Sequence, residues 1–102
     1  MAKGRQRGAR NEGGTNPAGR LEKTIYTSEY AVVLDLLREA RERAGVTQVE
    51  LAQRLGQTQS FVSKVERGDR RLDVVQLRTI LRHFDVSLGE FVKLLEQRLA
   101  NG

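Results

Sequence analysis

Apolar residues recur at intervals of three and four in five successive stretches, each opened by a Ser, Thr or Asp able to cap a helix. The clearest lies at the middle of the chain. Thr47-Gln48-Val49-Glu50 is a capping-box sequence, in which the Thr hydroxyl reaches the third helical N–H and the Glu carboxylate reaches back. Val49, Leu51, Ala52 and Leu55 then partly follow helical spacing, so a helix is predicted from Gln48 to about Leu55, with Gly56 supplying the left-handed terminus. Thr58 can cap a second helix that turns Val62 and Val65 inward and ends at Gly68.

The flanking stretches follow the same logic. Thr27 or Ser28 can cap a long helix to about Ala44, because Glu29 suits its positive end and Val33, Leu34, Leu37, Ala40 and Ala44 form one stripe. Gly45 ends it and Val46 bridges to Thr47. After a charged loop, Asp69-Arg70-Arg71-Leu72, the box Asp73-Val74-Val75-Gln76 opens a helix to about Phe84, with Val74, Leu77, Ile80 and Leu81 inward and Phe84 closing the end. Asp85 and Val86 make a turn. Ser87-Leu88-Gly89-Glu90 then starts a last helix to about Ala100. No strand-like alternation persists, so an all-α fold of five helices is expected. In the last helix Leu88, Phe91, Val92, Leu94, Leu95 and Leu99 cover more than the roughly 100° stripe of an ordinary surface helix. Either the whole stripe closes a small core, or part of it meets a second copy through Leu88, Phe91, Val92, Leu95 and Leu99, two-fold dimers being the commonest oligomers.

Composition divides the 102 residues unevenly. Residues 1–20 are rich in Gly and Arg, have almost no apolar side chains and carry a net charge of +4, from five basic residues and one acidic one. Such a segment cannot bury enough surface to offset its ordering entropy, so a disordered basic arm and connector is expected over residues 1–24, with one domain over 25–102. Residues 21–27, which lead into the first helix and overlap the start of that domain, contain Ile25 and Tyr26, which can dock on it. Lys3, Arg5, Arg7, Arg10 and Arg20 either follow DNA phosphates or a minor groove, or belong to a solubilising tail. Residues 21–102 carry only +1, so any footprint for a polyanion has to come from local clustering or from the arm. Without cysteine there are no disulfides or thiolate metal sites. Without a secretory signal or a long apolar run, the expected location is cytoplasmic, with no membrane partner.

The side of the second central helix opposite Val62 and Val65 presents Gln59, Ser60, Ser63 and Lys64. Amides, hydroxyls and an ammonium suit hydrogen bonding to base edges and phosphates. Phe61 fits neither side well; its ring either packs on a thymine methyl or lies under the preceding loop. Residues 47–68 resemble the helix-turn-helix of the phage repressor and Cro-like transcriptional regulators. The likeness rests on the Thr47-Gln48 start, Glu50-Leu51-Ala52, Leu55-Gly56, Gln59, Val62-Ser63, and Glu66 followed by Gly68. It extends more loosely from about Tyr30 to Leu95.

That resemblance implies a lambda-repressor-like domain that binds double-stranded operator DNA as a homodimer, without cofactors. It implies that the second helix lies in the major groove with Gln59 as the foremost base reader. Thr58, Ser60, Phe61, Ser63 and Lys64 join it, and Gln48 positions a phosphate. Arg70 and Arg71, next to the end of that helix, either take flanking phosphates or form a solvated charged turn. Arg41 and Glu66 stand where members of the family form an ion pair between the first helix and the reading helix. A dimeric repressor or autoregulator of a palindromic operator is the leading expectation. The antitoxin of a toxin–antitoxin pair and a protein-bridging module of the same fold are the rivals. An enzyme is not indicated: His83, the only histidine, sits where a cation suits a helix C-terminus, and Gly13-Gly14 lacks the strand and helix of a phosphate loop.

Overall fold

A computed structural model describes residues 27–101, so the expectations for the basic arm and for Ile25 and Tyr26 lie outside the described residues. Five helices and no strand occur among the described residues: α1 (Ser28–Arg43), α2 (Gln48–Leu55), α3 (Gln59–Arg67), α4 (Val74–Arg82) and α5 (Leu88–Asn101). Every one starts on a side-chain cap. Thr27 Oγ1 accepts the Tyr30 N–H at 3.1 Å, and Thr58 Oγ1 accepts that of Phe61 at 3.1 Å. Both arms of the capping box are closed at Thr47 and Glu50, at Asp73 and Gln76, and at Ser87 and Glu90. Each such cap stabilises its helix by roughly 0.5–2 kcal/mol, which matters most for helices as short as α2 and α3.

The first four helices stop in the same way. One residue turns left-handed, and the next N–H reaches back to a carbonyl five residues earlier: Val46 to Arg41, Gln57 to Ala52, Asp69 to Lys64 and Val86 to Leu81, all at 2.9–3.1 Å. The left-handed residue is Gly56 (φ 66°) in the central turn and Asp85 (φ 58°) after α4. Asp is among the few residues besides Gly that visit this region routinely.

Because α2 packs on α3, while α1 lies against both α3 and α5, one core gathers at the centre. It consists of Leu36, Leu37, Ala40, Val46, Leu51, Ala52, Val62, Val65, Ile80, Leu81, Phe84 and Phe91. Leu81 is completely enclosed. Helix α1, covered on two sides, buries Leu36 in addition to the expected stripe, while Ala44 at its end is exposed. On the outside, Arg98 of α5 donates both terminal nitrogens to the Glu39 carboxylate of α1, at 3.0 and 3.1 Å. That hydrogen bond holds Glu39 below the usual carboxylate range, so its stabilisation is present above the ordinary glutamate pKa and is lost as pH falls through the lowered value.

Three expectations need correction. Val74 does not face the core: it is 61% exposed, because α4 meets the domain through Ile80 and Leu81 and its first turn stands clear. Helix α4 ends at Arg82, two residues before the expected end, so that Phe84 reaches the core from the following turn. Phe91, expected at a subunit interface, is 2% exposed within the single chain and has no surface left to offer a second one.

At Gly56 an added Cβ would meet nothing within 4 Å, so Gly56→Ala should lose only the backbone term, roughly 1–2 kcal/mol. Asp85→Gly should stabilise by up to about 1 kcal/mol for the same reason. Urea denaturation of the two variants checks this; equal stability of all three proteins would contradict the shared left-handed terminus.

Candidate nucleic-acid interface

Arg41 of α1 is the one buried charged residue among the described residues, and three of its five N–H donors hold α3 and the loop after α1. Its Nε donates to Glu66 Oε2 at 2.6 Å, Nη2 to Glu66 Oε1 at 3.1 Å, and Nη1 to the Val46 carbonyl at 2.9 Å. Gln48, at the first position of α2, donates its amide to the same Oε1 at 2.9 Å. The Arg41–Glu66 pair near the C-terminus of α3 therefore ties together α1, the loop after it, the start of α2 and α3 itself. Side-chain exposures of 11% for Arg41 and 7% for Glu66 leave the pair largely shielded from bulk water. A pair so buried contributes little net stability against an apolar replacement, but removing one partner strands the other charge at a cost of about 3–5 kcal/mol.

Held in this way, α3 divides cleanly. Val62 and Val65 are buried at 2% and 3%, while Gln59, Ser60, Lys64 and Arg67 are exposed and Ser63 is half-buried. An exposed Gln amide can pair with N6 and N7 of adenine, and an ammonium with guanine acceptors or a phosphate.

Several of the residues picked from the sequence also have internal partners. The Thr58 hydroxyl caps α3, the Ser63 hydroxyl accepts Arg67 Nη1 at 2.6 Å, and the Gln48 amide is committed to Glu66. Phe61 is half-buried against the core, and the Arg70 guanidinium lies 5.1 Å from its ring centroid. Arg71 lies 4.3 Å from the ring of Tyr30 on α1. Both arginines of the loop after α3 are thus laid on aromatic rings, which restrains their side chains, and both residues are exposed. Arg67 is missing from the face expected from the sequence. It falls four residues after Ser63 and seven after Ser60, so helical spacing could have included it.

Lys64, Arg67, Arg70 and Arg71 bring four cations to the end of α3 and the following loop, all exposed, with Asp69 among them. In a domain of near-zero net charge this is the local clustering that attracts a polyanion. At the opposite end of the chain, Val92 and Leu94 of α5 are each 43% exposed, and Leu88, Leu95 and Leu99 are half-buried. Among the described residues no helix is long and apolar enough to cross a membrane.

Two helices joined by a tight turn, the second with a polar outward face and a cationic end, define a helix-turn-helix domain. A helix-turn-helix family model matches residues 37–91, more than half of the chain, and the chain belongs to that family. A solved structure, an XRE-family like protein from Pseudomonas syringae pv. tomato str. DC3000, is 46% identical, with a TM-score of 0.65 over 70% of this chain and 87% of that one. The protein is accordingly a DNA-binding transcription regulator of the Cro/C1 (XRE) type with a lambda-repressor-like fold. No curated protein sequence matches it.

Arg41→Met and Glu66→Leu should each destabilise by about 3–5 kcal/mol, and the double variant by much less than the sum. A double-mutant cycle in denaturant measures the coupling; additive losses would show that the pair is not a unit.

Proposed function

We propose that the protein is a dimeric repressor or autoregulator that reads a palindromic operator, with α3 of each copy in a major groove. The observation that carries this reading is the division of α3, whose apolar residues are buried and whose hydrogen-bonding residues are exposed. Gln59, at the first position of the helix, gives a bidentate pair to adenine; Ser60 and Ser63 add hydroxyls, and Lys64 reaches a guanine or a phosphate. The N-terminus of α2 faces the backbone: with the Gln48 amide held by Glu66, its contribution to a phosphate is the backbone N–H groups of the first turn, which the Thr47 cap leaves unsatisfied at Gln48 and Val49. Arg70 and Arg71, steadied by Phe61 and Tyr30, take flanking phosphates.

Two copies meet through α5, using Val92 and Leu94 with the half-buried Leu88, Leu95 and Leu99 around them. Two reading helices about 34 Å apart then fit successive major grooves of a two-fold site. Occupying such a site in a promoter blocks transcription, and a chain that regulates its own promoter does so as its concentration rises.

Fluorescence anisotropy on operator DNA tests both halves. Gln59→Ala should lose about 1–3 kcal/mol on the operator while binding unrelated DNA as before. Weak binding without sequence preference, unchanged in Gln59→Ala, would sink the operator reading. Sedimentation of the complex should give two chains per site, and a protein that stays monomeric on its operator would overturn the palindrome.

A further inference from the structure

The contacts of Arg67 go beyond those of a solvated cation at a helix end. Its Nη1 donates to Ser63 Oγ at 2.6 Å, its Nε to Asp69 Oδ2 at 3.1 Å, and its Nη2 lies 3.1 Å from the same oxygen. The first contact draws the guanidinium back by one turn toward the middle of the outward face. The other two fix its plane. A guanidinium has five N–H donors, and these contacts use three, leaving one on each terminal nitrogen. The side chains of Arg67 and Asp69 are each 57% exposed, so those two donors are open to a ligand lying along α3.

We infer that Arg67 is a guanine-reading residue and that Asp69 and Ser63 are its positioning residues. The inference rests on the proposal that α3 occupies a major groove. Two donors in one plane match the two acceptors, O6 and N7, that only guanine places side by side in that groove; adenine offers N7 beside a donor, cytosine a donor, and thymine a single acceptor. A phosphate also accepts two hydrogen bonds, but the arrangement disfavours it. The carboxylate of Asp69 offsets the positive charge through which a phosphate would be attracted, and it is itself repelled by the DNA backbone. It leaves the direction of the two donors intact. Asp69 thus lowers the pull of this arginine on DNA of any sequence while holding the fork in place for one base, so selectivity is gained from the same contact that reduces general affinity.

The test is selection of bound sequences from a random DNA pool by the full chain and by Arg67→Ala, Arg67→Lys, Asp69→Asn and Gln59→Ala, with binding to a fixed unrelated duplex measured over a range of salt. Because Arg67 and Asp69 are largely exposed, thermal melting should be unchanged, which separates a reading defect from a folding one. The wild type should select one guanine per half-site, whose preference Arg67→Ala and Arg67→Lys each reduce by roughly five- to a hundredfold, leaving the other positions as they were. Asp69→Asn should weaken the same preference while tightening binding to the unrelated duplex and steepening its salt dependence by about one counterion. The two readouts moving in opposite directions is what a merely structural Asp69 would not produce. Retention of the guanine preference in Arg67→Ala, or an equal loss on all sequences with a shallower salt slope, overturns the inference. If Gln59→Ala alters the selected sequence and Arg67→Ala does not, only this inference fails; if the wild type selects no preferred sequence, the operator reading fails with it.

Discussion

The carboxylate of Glu66 is the point on which the domain's arrangement turns. Helices of eight and nine residues are too short to be stable alone, and α2 and α3 each bury only two residues fully. Apolar packing is also non-directional: Val62 and Val65 could be buried over a range of angles between α3 and its neighbours. Hydrogen bonds are not so permissive. With Arg41 forked on both oxygens of Glu66, and with Gln48 sharing one of them, α3 has one orientation relative to α1 and to the start of α2. The pair adds little to stability relative to apolar residues of the same size, and its use is to select that orientation.

An outward face on α3 follows from this. Once Val62 and Val65 are inside and Glu66 is turned toward α1, the helix presents Gln59, Ser60, Ser63, Lys64 and Arg67 together. The loop after Gly68 adds Arg70 and Arg71, both steadied by aromatic rings. Positive charge is concentrated at this end of a domain that is otherwise nearly neutral, and the rest of the outward face of α3 carries directional donors and acceptors. In the proposed reading, affinity and selectivity are served by neighbouring but different residues, with Arg67 and its partner Asp69 at the boundary.

Much of this was legible in the sequence, and the legible part has a common character. Caps, glycine termini and apolar spacing are local, so Thr47, Thr58, Asp73 and Ser87 mark helix starts whatever lies around them. What depends on neighbours was not. Val74 has the right spacing for the core, but nothing packs over the first turn of α4. Phe91 lies on a stripe too wide for one face, and only the position of α1 decides that this ring goes inside while Val92 and Leu94 remain at the surface. In α1, Leu36 lies off the stripe and is buried because two helices cover α1 instead of one. Arg41 and Glu66 look like ordinary helix-surface charges, 25 residues apart, and only the family resemblance suggested that they meet. Arg67 was passed over although its spacing from Ser60 and Ser63 puts it on the same face: next to Gly68 it reads as the end of a helix, and only the structure shows its guanidinium reaching back to Ser63.

The proposed function places this face of α3 in a major groove. Methylation interference on a selected operator addresses it directly, because dimethyl sulfate marks guanine at N7 in the major groove and adenine at N3 in the minor groove. The expected result is interference at guanine N7 in two clusters about one helical turn apart, with adenine N3 methylation tolerated between and within them. Interference confined to adenine N3, or a single cluster without a symmetric partner, would contradict it.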